Sequence, residues 1–497
     1  MKRYSFLMIL FLAAMMIATS CKKDDDNNPE PAPEPTPAEE EKDFRAVPLS
    51  ITVSIAPMNG SIDGIEPKQT FAKGDVIEIT NPDVLYEPLT ISADGSAGKS
   101  SAEFTAELKV KKGAELVSGT TKLSAVLKNG SNYNNGKPLA DVKAVDKPYD
   151  GLDQYCCWSC EGFTYRSDAN TVSLAPSTVF VEFNLFRDEV KMTINNAEFC
   201  ETISGSHLFA VPSGTKIEIS NAKFEMILDG KDKSIYHLTA SAPDECIPHL
   251  FSIGEDKRVF FSKGNLQYRP LDGAWRLAPQ QYHRCFNHCD MVGENFADWM
   301  GEDKWTDLLN PWSWIEGGNP GSTIDDFALP VDQNGEMDGQ CVIGAQWIVL
   351  SSDEWEYLTE KRPDAAQKRA GVVVDGIEGF MILPDEWTAP DGFSFVKDFR
   401  VGDLNEIPNQ YTVDEWAAIE ATGAVFLPDT GILIMDIAFV GVCPSYQARN
   451  RYKEDGFICC FAFYPYTDDC NVSGGISAPC AVRLVQLQSG NTMVNVE

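Results

Sequence analysis

Positive charge is what this sequence has least of. Its 41 lysines and arginines face 74 aspartates and glutamates, a formal net charge of −33. A chain so acidic stays soluble and is repelled by polyphosphate and by anionic lipid, which argues against nucleic acid or an anionic membrane surface as partner. Long apolar runs are also scarce. The run at residues 6–17 is too short to span a bilayer comfortably. No Ser/His/Asp arrangement, paired acid–base motif or phosphate-cradling glycine loop is present, so no enzyme, cofactor or resident metal is expected. The fourteen cysteines show no repeated spacing of the kind that marks a small disulfide scaffold.

What is present begins with a processing segment. Lys2 and Arg3 precede the apolar run, and Ala18-Thr19-Ser20 precedes Cys21. Small residues ending at a cysteine resemble the lipobox of bacterial lipoproteins, which implies lipidation at Cys21 and anchoring by acyl chains. Lys22-Lys23-Asp24-Asp25-Asp26 is similar to the surface-export signal of Bacteroidetes lipoproteins, implying an outward-facing protein on the outer membrane. With Cys21 taken for lipid an odd number of cysteines remains, so a few disulfides at most are expected. Residues 22–45 carry prolines at 29, 31, 33, 35 and 37 and the run Glu39-Glu40-Glu41. Locked φ and like-charge repulsion predict an extended tether reaching on the order of 70 Å at ~3.1 Å per residue.

From Ala46 the pattern is period two. Leu49, Ile51, Val53 and Ile55 alternate with Ser, Thr, Ser and Ala, Phe104, Ala106, Leu108 and Val110 alternate with Thr, Glu and Lys, and Asn59-Gly60 and Asn129-Gly130 supply turn signals. Gly74-Asp75-Val76-Ile77-Glu78-Ile79-Thr80-Asn81 matches the stretch from Gly214 to Asn221 as G-x-x-I-E-I-(T/S)-N, which predicts two similar antiparallel sandwiches in tandem. The lipoprotein start, the early strand LSITVSIA and the turn FAKGDVIEI resemble the fimbrillin family of Bacteroidales pilins over roughly residues 46–245. That resemblance implies assembly with other pilin subunits by strand exchange. It also implies cleavage by a trypsin-like protease between Arg45 and Ala46, which frees a groove for a partner's strand. Between the sandwiches, Cys157-x-x-Cys160 has metal or redox spacing but lacks a second ligand pair, with Cys200 the nearby candidate; a disulfide or idle thiols is the expectation.

After Pro248 the chain turns aromatic: eight of the ten tryptophans fall between 250 and 400, where long loops on a small sheet are expected. Residues 258–268 and 274–278 read as a hairpin. Ser351 with Glu354 and Thr412 with Glu415 fit the S/T-x-x-E capping box, predicting two short helices that pin Trp355 and Trp416 onto a common core. FSKGNLQY, AWRLAPQQY, DEWEYL, FMILPDEW, GAVFLPDTG and the closing AVRLV resemble a Bacteroidales extracellular domain with the C-type-lectin-like fold shared with formylglycine-generating enzymes. The resemblance implies that residues 481–485 return beside residues 258–264. His283, Cys285, His288 and Cys289 have zinc-ligand chemistry, but four ligands in seven residues rarely converge tetrahedrally. Glu406-Ile407-Pro408-Asn409 does not match the calcium-lectin tripeptide, and no motif surrounds a catalytic cysteine pair.

Residues 442–478 depart from the family and mix rigid aromatics with adaptable hydrogen bonders. Tyr446, Gln447, Arg449, Asn450, Arg451, Tyr452, Tyr464, Tyr466 and Asp468 are the candidate ligand contacts. The sequence thus predicts a mainly β protein: a leader (1–20), a lipidated tether (21–45), β-sandwiches at 46–150 and 151–247, and an α+β lectin-like domain at 248–490. The expected function is a pilus-associated tip adhesin holding a glycan or protein ligand. The alternative is a non-pilus surface lipoprotein whose sandwiches are spacers.

Overall fold

The computed structural model describes residues 43–62, 68–147, 149, 151–230, 233–269, 271–272, 274–284, 303–307, 347–397, 408–434, 437–439, 445–452, 457–463, 470–474 and 480–497. Residues 1–42, with Cys21, and the segment carrying Cys285, His288 and Cys289 lie outside these residues, as do Glu406 and Ile407.

Alternation builds the first module. In β1 (Phe44–Ile55) Leu49, Ile51, Val53 and Ile55 are buried while Ser50, Thr52 and Ser54 turn outward. β2 (Val76–Thr80), β3 (Leu89–Ser92), β4 (Ser101–Lys111) and β5 (Lys122–Lys128) follow. The short β6 (Lys143–Val145) leaves this sheet, and β7 (Trp158–Thr164) and β8 (Asn170–Pro176) return to it. The order is β3-β2-β5-β7-β8-β1-β4, with β1 and β8 parallel. Its two ends meet: Tyr86 N donates to Lys109 O at 2.7 Å, and Lys111 N donates to Val84 O at 3.0 Å. The sheet therefore closes over a core that includes Ile51, Ile77, Leu108, Leu127 and Trp158. Each fully buried aliphatic side chain there contributes ~1.5–3 kcal/mol.

The second sheet is organised on one long hairpin. β9 (Thr178–Ile194) and β10 (Ala197–Pro212) are joined by Asn195 and Asn196, whose φ values of 48° and 67° suit a two-residue turn of the hand that strand twist requires. β11 (Lys216–Ile219), β12 (Phe224–Ile227) and β13 (Ile235–Ser241) extend it, and β6 pairs with β10. Both faces of the hairpin's base are covered. Phe180, Leu208 and Ala210 enter the first core, while Val179, Val181, Phe209 and Val211 enter the second. The expected boundary at residue 150 is thus not where the sheets divide. β6 goes forward and β7 and β8 go back, because ladder pairing between distant strands decides the division and composition does not record it.

The two copies of the repeated motif occupy equivalent places. Gly74 and Gly214 have φ of 89° and 92°, a region that favours glycine. After them Asp75 N and Thr215 N each donate back three residues, to Ala72 O and Pro212 O, both at 3.2 Å. Each copy then enters a strand, β2 or β11, that pairs antiparallel with the next strand in sequence.

In the C-terminal module, β14 (Phe251–Ser252), β15 (Arg258–Phe261), β16 (Leu266–Arg269), β17 (Ala274–Leu277) and β18 (Trp347–Val349) come first. The hairpin is β16–β17 alone; β15 pairs instead with β14 and with a strand from the far end of the chain. Helix α1 (Ser352–Glu356) continues as a wider turn over Tyr357–Lys361. β19 (Arg369–Val374), β20 (Ile377–Ile382), β21 (Gln410–Tyr411), helix α2 (Val413–Glu420) and β22 (Val425–Pro428) follow, the strands forming the sheet β21-β19-β20-β22. β23 (Ile432–Ile434) pairs with β24 (Ile437–Phe439), and β25 (Ser445–Tyr452), β26 (Phe457–Phe463) and β27 (Cys470–Gly474) make a three-stranded sheet.

Both helices begin with the predicted capping box. Their tryptophans do not share a core. Trp355 packs with Phe261, Phe380 and Leu427 on one face of the β19–β22 sheet, and Trp416 packs with Val372, Met381 and Phe426 on the other. Successive residues of β20 and β22 point to opposite faces, so the sheet separates the two rings.

The closing strand β28 (Leu484–Leu487) lies beside β15, with Phe261 opposite Val485 and Val259 opposite Leu487. The chain then leaves this module: β29 (Met493–Val496) pairs antiparallel with β13, Leu238 opposite Val496 and Ser241 opposite Met493. The C-terminal module is therefore inserted between two neighbouring strands of the second sheet.

Candidate binding site

Segment 442–478 is rooted in the core at its start. Tyr446 and Gln447, the first candidate contacts, are fully buried. Adjacent strand residues point to opposite sides, and here both sides are interior. The Tyr446 ring lies 6.2 Å from that of Trp355; its hydroxyl donates to Pro428 O at 3.1 Å and accepts from Asn265 Nδ2 at 3.3 Å. Burial pushes the phenol far above its usual pKa. Gln447 N donates to Ala481 O at 2.8 Å, and Ala481 N donates to Ser445 O at 3.2 Å. These two residues anchor β25 and are not available to a ligand.

A buried polar cluster holds the anchor in place. Arg483 donates from Nη1 to Asn265 Oδ1 at 3.2 Å and from Nη2 to Gln281 Oε1 at 2.7 Å. Gln281 Oε1 also accepts Phe426 N at 2.7 Å, and its amide donates to Ala424 O at 2.9 Å. Burial lowers the Arg483 pKa to about 10, against the opposing pull of Tyr446 and Glu420, so the guanidinium stays charged at neutral pH. Burial likewise raises the pKa of Glu420, whose Oε2 accepts the Trp416 indole N–H at 3.1 Å. The cluster ties β22, β25 and the approach to β28 together. The sequence signal was available: a single arginine inside the apolar stretch Ala481-Val482-Arg483-Leu484-Val485 has to find acceptors indoors.

The next residue, Ala448, is buried as well. A register shift between Gln447 and Arg451 separates the anchored start from a second stretch in which Arg451 opposes Ile458 and Tyr452 opposes Phe457. Arg449, Asn450, Arg451 and Tyr452 lie on the part of β25 that follows Ala448. Tyr464, Tyr466 and Asp468 lie outside the described residues. β25 is thus braced at its root and continues as an edge strand of the three-stranded sheet with β26 and β27.

At the other end of the chain, Arg45 and Ala46 are exposed on β1, Arg45 opposite Val110 and Ala46 opposite Lys109. Strand alternation turns the peptide groups of Phe44 and Ala46 and the carbonyl of Pro48 away from β4. The pairing of β8 with β1 starts only at Ile51, so this stretch of edge has no strand partner among the described residues. A cut after Arg45 shortens β1 by two residues and leaves Ala46 to Ser54 in register on β4, so the strand itself is not released.

The cysteine candidates stay separate. Cys156, Cys157, Cys160, Cys200, Cys246 and Cys480 are unbridged, and among the described residues no cluster of His, Cys, Asp or Glu is arranged to hold a metal ion. Burial raises the thiol pKa of Cys156 and Cys157, and that of Cys246 to about 12. His283 is half-buried, with its pKa lowered by burial and then by Arg276.

No protein-family model and no curated protein matches this sequence. Solved structures that resemble it include a fimbrial assembly protein from Parabacteroides distasonis, at 9% identity over 47% of this chain and 100% of that one, with a TM-score of 0.20. A C-terminally truncated tip fimbrial protein from Porphyromonas gingivalis matches at 12% identity over 40% of this chain and 96% of that one, with a TM-score of 0.20. A fimbrial anchor protein from the same organism matches at 12% identity over 39% and 90%, with a TM-score of 0.21. At such identities and TM-scores these likenesses carry no conclusion about this chain.

Proposed function

We propose that this chain is a surface lipoprotein of the outer membrane that acts as a pilus-associated tip adhesin, contacting a glycan or protein ligand through a lectin-like C-terminal domain. The observation that carries the reading is the braced strand: Tyr446 and Gln447 fix the root of β25, and Arg449 to Tyr452 follow on the same strand past Ala448. A rigidly held strand that carries aromatic and hydrogen-bonding residues lowers the ordering cost of binding. The leader, the tether and the repeated turn-and-strand motif support placement at the cell surface beside pilin subunits. The unpaired edge of β1 at Phe44 to Pro48 supports strand addition by such a subunit, and Pro48 limits the ladder there.

A second reading is favoured by one observation. β29, the last strand, is already paired with β13, so it is not extended from the body toward a neighbour. That suits a non-pilus surface lipoprotein whose sandwiches are spacers. Whole cells labelled with gold-conjugated antibody against residues 250–490 separate the two. Gold at filament tips is expected for the tip adhesin. Gold spread evenly over the outer membrane sinks the pilus assignment and leaves the tethered binding protein.

A further inference from the structure

Where the second sheet meets the C-terminal module, a crevice of about 200 Å³ opens. One wall comes from β9, with Phe186 and Arg187; the other comes from Ser252 of β14, Arg258 of β15, Lys368 and Asp385. The chain as a whole is strongly acidic. This place is not. Three cations, Arg187, Arg258 and Lys368, line it with two carboxylates, Asp385 and Glu386, and both carboxylates are engaged, Asp385 in part by the buried Arg362 behind the wall. Asp385 accepts Ser252 Oγ at 2.7 Å and Arg362 Nη1 at 3.2 Å, with Arg258 Nε at 3.8 Å. Glu386 Oε1 accepts Ser204 Oγ at 2.7 Å. The Lys368 ammonium rests on a carbonyl, that of Asp385, at 2.9 Å. Arg187 is exposed at the rim and makes no ion pair among the described residues.

We propose that this crevice binds a small organic carboxylate, with Arg187 and Lys368 as the groups that receive the anion. A guanidinium presents parallel N–H donors that match a carboxylate, and partial enclosure strengthens the attraction relative to open water. The remaining wall sets the rest of the ligand. The Phe186 ring is fixed by edge contacts with Phe260 at 5.4 Å and His249 at 6.5 Å, so the occupant has a carbon skeleton to lay against it. His249 is half-buried and burial lowers its pKa, so near neutral pH it is uncharged and offers a hydrogen bond, not a competing charge. The volume is below the ~300 Å³ at which drug-sized sites begin, which limits the occupant to roughly a single sugar or amino acid. Because the walls belong to two modules, the ligand also ties them together.

Calorimetric titration of the full chain tests this with three probes: glucuronate, N-acetylglutamate and glucose. At least one of the two acids is expected to bind, and whichever binds more tightly identifies a sugar acid or an amino-acid carboxylate as the source. Glucose, the neutral counterpart, is expected to give no heat. The R187A/K368A variant should weaken the acid by about tenfold or more, and added salt should weaken it in the unaltered protein. The salt series holds the test open if the variant fails to fold. The proposal is overturned if neither acid binds up to about 20 mM, if glucose binds equally, or if neither the variant nor salt changes the affinity.

Discussion

Asp188 lies at the junction between β9 and the C-terminal module, 1% exposed, and accepts Gln488 Nε2 at 3.3 Å. Burial raises its pKa, with Asn221, Arg258 and Gln488 opposing. A carboxyl that holds its proton more tightly in the folded than in the unfolded state favours folding at low pH. That contribution is lost as pH rises from the ordinary value of ~3.9 through the folded value. D188N keeps an acceptor for Gln488 and removes the buried charge. Scanning calorimetry should show Tm raised by about 2–4 °C near pH 7.5, with the difference gone near pH 3.5. A gain that persists in acid would rule out the charge as its cause. Tyr446 shows the limit of reading single residues. A tyrosine beside Gln and Arg looks like a contact surface, yet the first two residues of that stretch are core, because ring burial depends on which strands lie over it.

Helix starts were legible because capping is local. Ser351 Oγ accepts Glu354 N at 3.2 Å and Glu354 Oε2 accepts Ser351 N at 2.8 Å; Thr412 and Glu415 do the same at 3.3 and 2.8 Å. T412A should cost about 1 kcal/mol in denaturant unfolding of the C-terminal module. A loss of a few tenths or less would mean that packing of Trp416, not the cap, fixes α2. The faces the helices cover were not legible. α1 and α2 carry similar Glu-Trp pairs but sit on opposite sides of one sheet, since each core is assembled from strands whose order the local sequence does not state. The two copies of G-x-x-I-E-I were a dependable guide for the opposite reason: a positive-φ glycine and a two-faced strand form a unit wherever they occur.

The whole molecule is threaded through itself. β13 enters the C-terminal module, the chain traverses it, and β29 returns to pair with β13, with Gln488 bonded to Arg187 O at 3.1 Å and Gly490 N to Asn221 O at 2.7 Å on the way. Truncation after Ser489 removes β29 and bares one edge of β13. Hydrogen exchange across residues 235–241 should then accelerate, while exchange in β1 and β4 stays as it was. Unchanged exchange in β13 would show that β29 is dispensable to the second sheet. By itself the sequence determined what neighbours along the chain decide: the acidic character, alternating strands, repeated turns and helix caps. Only the tertiary structure decided which strands share a sheet, which tryptophans share a core, that Tyr446 and Gln447 are interior, and that cations from two modules line one crevice. Those outcomes depend on pairing and packing between residues tens to hundreds of positions apart, where no local pattern specifies the partner.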